Sequence, residues 1–225
     1  MKKRFIFILC GLFLCAGTIA ATDYNVLQLG VVGDGKTLNT QALQSAIDAL
    51  HAKGGGQLYF PAGRYLTGSL QLKSNVTLYL EKEAMLLGST SPYDYPGFST
   101  EKELKVNNDH FDQALIYAEE AENIGITGEG CIDGQGRELA LTIDSLHHTG
   151  ELVDKHYNTY RKRPNTRPKL LFMRNCRKVE LRKTNFRSGA AWGLSFSLCV
   201  DLTIDSLHVG NRAYWNNDGI DISDC

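Results

Sequence analysis

The chain has almost no net charge. Its 24 lysines and arginines stand against 25 aspartates and glutamates, leaving −1 at pH 7, so no global field selects nucleic acid or an anionic membrane surface as a partner. A bilayer-spanning run of about 20 apolar residues is also missing; the longest, Phe5 to Ala16, is about a dozen. The six histidines show no clustering beyond the adjacent His147 and His148, so no metal-ligand spacing emerges. "GVVGDGKT" from Gly30 fails the Gly-x-Gly-x-x-Gly spacing of a dinucleotide site. "DGIDISD" has Tyr214 where the first ligand of a calcium loop would stand. Neither a metal nor an organic cofactor is expected.

What is present begins with an export signal. Lys2, Lys3 and Arg4 precede the short apolar run, and "GTIAA" supplies small residues for cleavage near Ala20 or Ala21. Residues 1–21 are therefore read as a signal peptide that delivers the protein to the periplasm or the extracellular space. Cys15 follows Leu12, Phe13 and Leu14, not the small residues that precede a lipidated cysteine, so no lipid anchor is expected. Residues 22–225 are enough for one domain with a substantial core. Four cysteines remain in it, Cys131, Cys176, Cys199 and Cys225, and an oxidising compartment would allow them to pair.

Their positions suggest a different role. "CRKVEL" from Cys176 set above "CVDLTI" from Cys199 aligns Val179 with Leu202 and Leu181 with Ile204, and "AENIGI" from Ala121 and "KSNVTL" from Lys73 fall into the same pattern. The steps from Cys176 to Cys199 to Cys225 are 23 and 26 residues, and Lys73 to Ala121 is 48, about two such steps. Repeats of this length with alternating apolar residues and Gly, Asn and Asp between the runs indicate short strands stacked into a solenoid. Cysteines recurring at one repeat position then behave as small buried apolar groups.

One helical pattern precedes the repeats. "NTQALQSAIDALHAKGGG" places Leu43, Ala46, Ile47 and Leu50 on one face, with Asn39 or Thr40 as N-cap and glycines at its end. A helix here would shield the first rung from water and from stray strand pairing. Ala121 to Cys176 spans 55 residues, longer than two steps, which marks residues 137–168 as an insertion over the side of the solenoid. Its "LALTIDSLHHTGELVDKHY" reads as partly helical, and its "YNTYRKRPNTRPK" is basic and proline-bearing.

"NRAYWNNDGIDISDC", residues 211–225, carries Asp218 and Asp221 around Gly219. In one extended strand, residues three apart turn to opposite faces about 10 Å apart, so acid–base chemistry would require a partner from a neighbouring rung. One step back from Asp218 falls between Trp192 and Ser195, without a carboxylate, and one step forward lies beyond Cys225. On spacing alone, "NNDGID" is equally an ordinary Asn-Asp-Gly turn. Tyr214 and Trp215 could stack on a sugar ring or pack in the turn. Arg174, Lys183, Arg187 and Arg212 could meet an acidic substrate or be solvated charges.

Together, "YNVLQLGVVGDGKTLNTQALQSAIDAL", "GGGQLYFPAGRYLTGSLQLKSNVTLYLEKEAMLLGS", "GEGCIDGQG" and "WNNDGIDI" resemble glycoside hydrolase family 28, the polygalacturonase and rhamnogalacturonan hydrolase group. The resemblance covers nearly the whole of residues 22–225. Its earlier segments are shared with other parallel β-helix enzymes, whereas "NNDGID" resembles the more specific Asn-Thr-Asp-Gly-x-Asp signature. It implies an all-β, right-handed parallel β-helix with an N-terminal capping helix. Asp218 matches the first catalytic carboxylate, while Asn216 and Asp221 match the supporting Asn and Asp; Asn217 replaces the signature Thr. The activity implied is inverting hydrolysis of α-galacturonosyl linkages in a pectic polysaccharide, by a full-length protein expected to be a monomer. The Asp-Asp pair, Gly-His-Gly and Arg-x-Lys that the resemblance implies next do not follow Asp221 in this sequence. The chain is therefore expected to be the N-terminal part of the catalytic domain, silent and unstable by itself. A β-helix polysaccharide lyase and a non-catalytic glycan-binding β-helix are the alternatives.

Overall fold

A computed structural model describes residues 22–96, 113–151, 167–214 and 216–225. The expected signal peptide, residues 1–21, lies outside them, and no helix among the described residues is long and apolar enough to cross a membrane.

Three parallel sheets run along the molecule. The first stacks β1 (Thr22–Asn25), β3 (Gly56–Phe60), β6 (Val76–Leu80), β9 (Glu122–Thr127), β12 (Arg177–Arg182) and β15 (Val200–Asp205) in that order. The second stacks β2 (Asp34–Leu38), β4 (Gly63–Thr67), β7 (Ala84–Gly88), β10 (Cys131–Asp133), β13 (Asn185–Arg187) and β16 (His208–Gly210). The third runs from β5 (Leu70–Gln71) through β8 (Ala114–Glu119), β11 (Lys169–Arg174) and β14 (Leu194–Ser197) to β17 (Ile220–Ser223). The chain visits the sheets in turn and moves up one rung per circuit, a right-handed parallel β-helix.

The repeat read from the sequence is the register of the first sheet: Val179 pairs with Leu202 and Leu181 with Ile204. Each sheet contributes an inward column of like residues. Leu58, Leu78, Ile126, Leu181 and Ile204 form one. Tyr65, Leu86, Ile132, Phe186 and Val209 form the second. Leu70, Ile116, Leu171, Leu194 and Ile220 form the third. Each aliphatic side chain fully buried this way contributes about 1.5–3 kcal/mol.

The recurring cysteine follows from the turn between the third and first sheets. Glu120, Asn175, Leu198 and Asp224 each adopt a positive φ, 52° to 56°, bending the chain sharply inward. The next residue, Ala121, Cys176, Cys199 or Cys225, then stands at the corner. Cys176 and Cys199 are buried, the Cys199 N–H donates to Cys225 Sγ at 3.3 Å, and all four described cysteines are free thiols.

Helix α1 (Thr40–Ala52) buries Leu43, Ala46, Ile47 and Leu50, the face expected for it. Its start differs from expectation. Asn39 holds the N-cap position, but its side chain makes no capping bond. The Asn39 carboxamide instead donates to Thr37 O (2.8 Å) and Val32 O (3.0 Å) and accepts from Val32 N (2.8 Å), tying down the preceding loop. Thr40 Oγ1 accepts from Gly68 N at 2.7 Å. Capping of the solenoid is explicit at Gln44, which accepts from Gln71 N (2.8 Å) and donates to Gln71 O (3.1 Å). β5 is the edge of its sheet, and this amide occupies hydrogen bonds that a stray strand would otherwise use.

The insertion begins with helix α2 (Gly136–His148), which buries Leu139, Ala140 and Ile143. Its first N–H, on Gly136, donates to Ser188 O at 2.7 Å, holding it to the side of the solenoid. Residues 152–166 of the insertion lie outside the described residues.

Candidate active site

The third sheet ends in the segment that sequence reading singled out. Leu194 and Phe196 point into the core, so alternation turns Ser195 outward, and Asp221 stands directly above it in register. Asp218 precedes the strand. Its carbonyl accepts from Gly193 N at 3.0 Å, which seats it one rung above Trp192, as the repeat spacing required. The neighbouring rung below thus presents Trp192 and Ser195, with no carboxylate.

Because β17 starts at Ile220, strand alternation does not extend to Asp218. Asp218 is exposed and Asp221 half-buried. Burial first, and then the charge of Asp218, lifts the Asp221 carboxyl above its ordinary value, with Lys169 pulling it down. Asp221 Oδ2 and Ser195 Oγ are buried oxygens without a hydrogen-bond partner among the described residues.

Asn216 is exposed with φ 58°, and its Oδ1 accepts from Arg167 Nη2 at 3.3 Å. Arg167 also donates to Ala190 O at 2.7 Å and lies 5.1 Å from the Tyr214 ring centroid. Burial lowers its guanidinium to about 10. The Tyr214 hydroxyl donates to Asp144 Oδ2 of α2 at 3.3 Å. Tyr214 thus joins the insertion to the Asp218 loop. Trp215 lies outside the described residues.

Lys169, 5% exposed, has its ammonium 4.2 Å from the Phe172 ring and 4.8 Å from the Trp192 ring, geometry suited to cation–π attraction. Two nearly buried cations therefore flank the acidic loop. Neither Arg167 nor Lys169 was singled out from the sequence, because both sit where the long insertion breaks the repeat. Counting back from the signature in rungs would have found them. Among the basic residues that were singled out, Arg174 pairs with Glu119 on the same sheet and Arg187 with Asp133 on the second sheet, at 2.8 Å. Arg212 is exposed beside the loop and Lys183 occupies a turn with φ 61°. No group of three histidine, cysteine or acidic side chains among the described residues is placed to hold a metal ion.

The sequence matches the family model for glycosyl hydrolases family 28 over residues 55–225. The chain belongs to this family. Residues 24–82 also match a model described as rhamnogalacturonase A/epimerase, pectate lyase-like. An exo-poly-α-D-galacturonosidase of Dickeya chrysanthemi is 41% identical over 132 residues, covering 56% of this chain and 22% of that protein. A solved structure from Parabacteroides merdae, described as a glycosyl hydrolase, is 33% identical with a TM-score of 0.75, covering 91% of this chain and 81% of that one. The family 28 exopolygalacturonase of Yersinia enterocolitica is 29% identical with a TM-score of 0.71, covering 91% of this chain and 42% of that one. The chain thus spans about a quarter of the length of the curated relatives it matches.

In this family member the geometry offers an exposed carboxylate, Asp218, on a loop seated on the third sheet, a supporting carboxyl in its field, and buried cations beneath. That combination places an exchangeable carboxyl proton beside buried positive charge.

Proposed function

We propose that the full-length protein, an exported monomer, hydrolyses α-galacturonosyl linkages in pectic polysaccharide with inversion of configuration, Asp218 serving as one of its two reacting carboxyls. The observation that carries this reading is the seating of the Asn216–Asp221 signature on the outer face of the third sheet, with Asp218 exposed and Asp221 in its field. Inverting hydrolysis needs one carboxyl to protonate the leaving oxygen and another, about 6.5–9.5 Å away, to activate water. The rung below Asp218 offers none, and strands of adjacent rungs stand about 4.8 Å apart. The second group therefore belongs on the rung above, as the family resemblance implies, with Asn216 and Asp221 supporting the loop.

Polygalacturonate is the substrate to assay, with reducing ends and ultraviolet absorbance followed together. Hydrolysis raises reducing ends alone; a lyase leaves an unsaturated uronate that absorbs. Asp218→Asn is expected to lower turnover by roughly 10²–10⁴-fold, the usual range for a general acid or base. Turnover at the parental rate in Asp218→Asn would refute the assignment of this residue. Parental glycan binding without turnover in either protein would favour the non-catalytic alternative.

A further inference from the structure

The loop that carries Asp218 is held by a side chain outside the signature. Asn211 follows β16 and is 5% exposed. Its Oδ1 accepts from Gly189 N at 2.6 Å, and its Nδ2 donates to Ala191 O at 3.1 Å and Asp218 O at 2.8 Å. Gly189 and Ala191 belong to the preceding rung, so one carboxamide ties the Asp218 peptide to the framework beneath it. The fit is close. A Cβ at Gly193 would come within 2.7 Å of Asp218 O and 3.2 Å of Asn211 Nδ2, and one at Gly189 within 2.7 Å of Asn211 Oδ1. Asn217 braces the same segment, donating to Gly189 O (2.7 Å) and Ala191 O (3.1 Å) while accepting from Tyr214 N.

We infer that Asn211 is a positioning residue for Asp218, acting through the Asp218 backbone to fix where its carboxyl meets the scissile linkage. The inference rests on the assignment of Asp218 under the proposed function. Its physical basis is the double use of an amide, which offers an acceptor and two donors on one planar group. A carboxylate of the same shape keeps the acceptor for Gly189 N. It loses both donors and sets an oxygen against the carbonyls of Ala191 and Asp218. The titratable residue it bonds directly is Asp218, through the peptide carbonyl, and the Asp221 carboxyl, in the field of Asp218 and Lys169, lies on the same segment.

The test uses the full-length protein with polygalacturonate. Asn211→Asp is expected to lower kcat by about 10- to 100-fold near neutral pH, the scale of a small misplacement of a reacting group, with KM within about twofold. Burial against carbonyl oxygens raises the pKa of the introduced carboxyl. On acidification it gains a proton that can be donated to one of them, and the variant is expected to recover relative to the parent. Asn211→Ala, with no proton to regain, is expected to show the loss without the recovery. Should Asn211→Asp fail to fold, Asn211→Ser, which retains one hydroxyl donor, is read in its place and is expected to lose kcat less than Asn211→Ala. Parental kcat in these variants, a change in KM alone, or, for Asn211→Asp, a variant-to-parent ratio independent of pH overturns the inference. Full activity of Asp218→Asn would instead bring down the underlying assignment, so the two failures are distinguishable.

Discussion

Asp221 carries the clearest electrostatic signature at the residue scale. Its folded carboxyl is raised by burial and by Asp218, so the folded chain holds this proton more tightly than the unfolded chain. Stability from this group is present while both states are protonated and is lost as pH rises from the ordinary carboxylate value through the raised one. Asp221→Asn removes that loss. Its melting temperature is expected to exceed the parent's near neutral pH and to converge with it in acid; a melting difference independent of pH would contradict this account. Asn216, Asp218 and Asp221 were legible because the signature keeps them within six consecutive residues. Arg167 was not, because it meets Asn216 across 49 residues of sequence that include an insertion of irregular length. Asn211 is invisible for a different reason: the bonds that place it go to backbone atoms of its own and the preceding rung, which leave no residue pattern in the sequence.

At the scale of elements, the columns explain both what holds the solenoid together and why its register could be read. Leu181 is fully buried between Ile126 and Ile204, and Leu181→Ala is expected to cost about 2–5 kcal/mol, the range for buried leucine truncations, measured by denaturant unfolding. Gln44→Ala removes two part-buried hydrogen bonds to the Gln71 backbone. It is expected to cost about 1–3 kcal/mol and to increase aggregation, and unchanged stability would show that α1 does not protect the edge. The apolar face of α1 followed from the 3.6-residue period, whereas its N-terminal chemistry did not. Asn39 is a good capping residue by type, but Val32 and Thr37 take its carboxamide, a tertiary choice that local sequence does not encode. The thiol stack was legible because three cysteines recur at nearly rung spacing, each following a residue of positive φ.

For the whole molecule, the last rung is exposed: Val200 is 44%, Ile220 41% and Ile222 56% accessible, on strands whose outer edges are unpaired in all three sheets. Such edges and apolar side chains promote association. The 225-residue chain purified alone, without residues 1–21, is expected to self-associate at micromolar concentration in analytical ultracentrifugation. A monodisperse monomer with cooperative melting would contradict that expectation. Asp218 is proposed to serve in a single-displacement hydrolysis by the full-length protein. Proton NMR of the newly released end, recorded within the first minutes of cleaving trigalacturonate, tests it most directly. The β-anomer is expected to appear first in the parent, and Asp218→Asn is expected to yield no product on the same timescale. Initial release of the α-anomer, or of an unsaturated uronate, would contradict it.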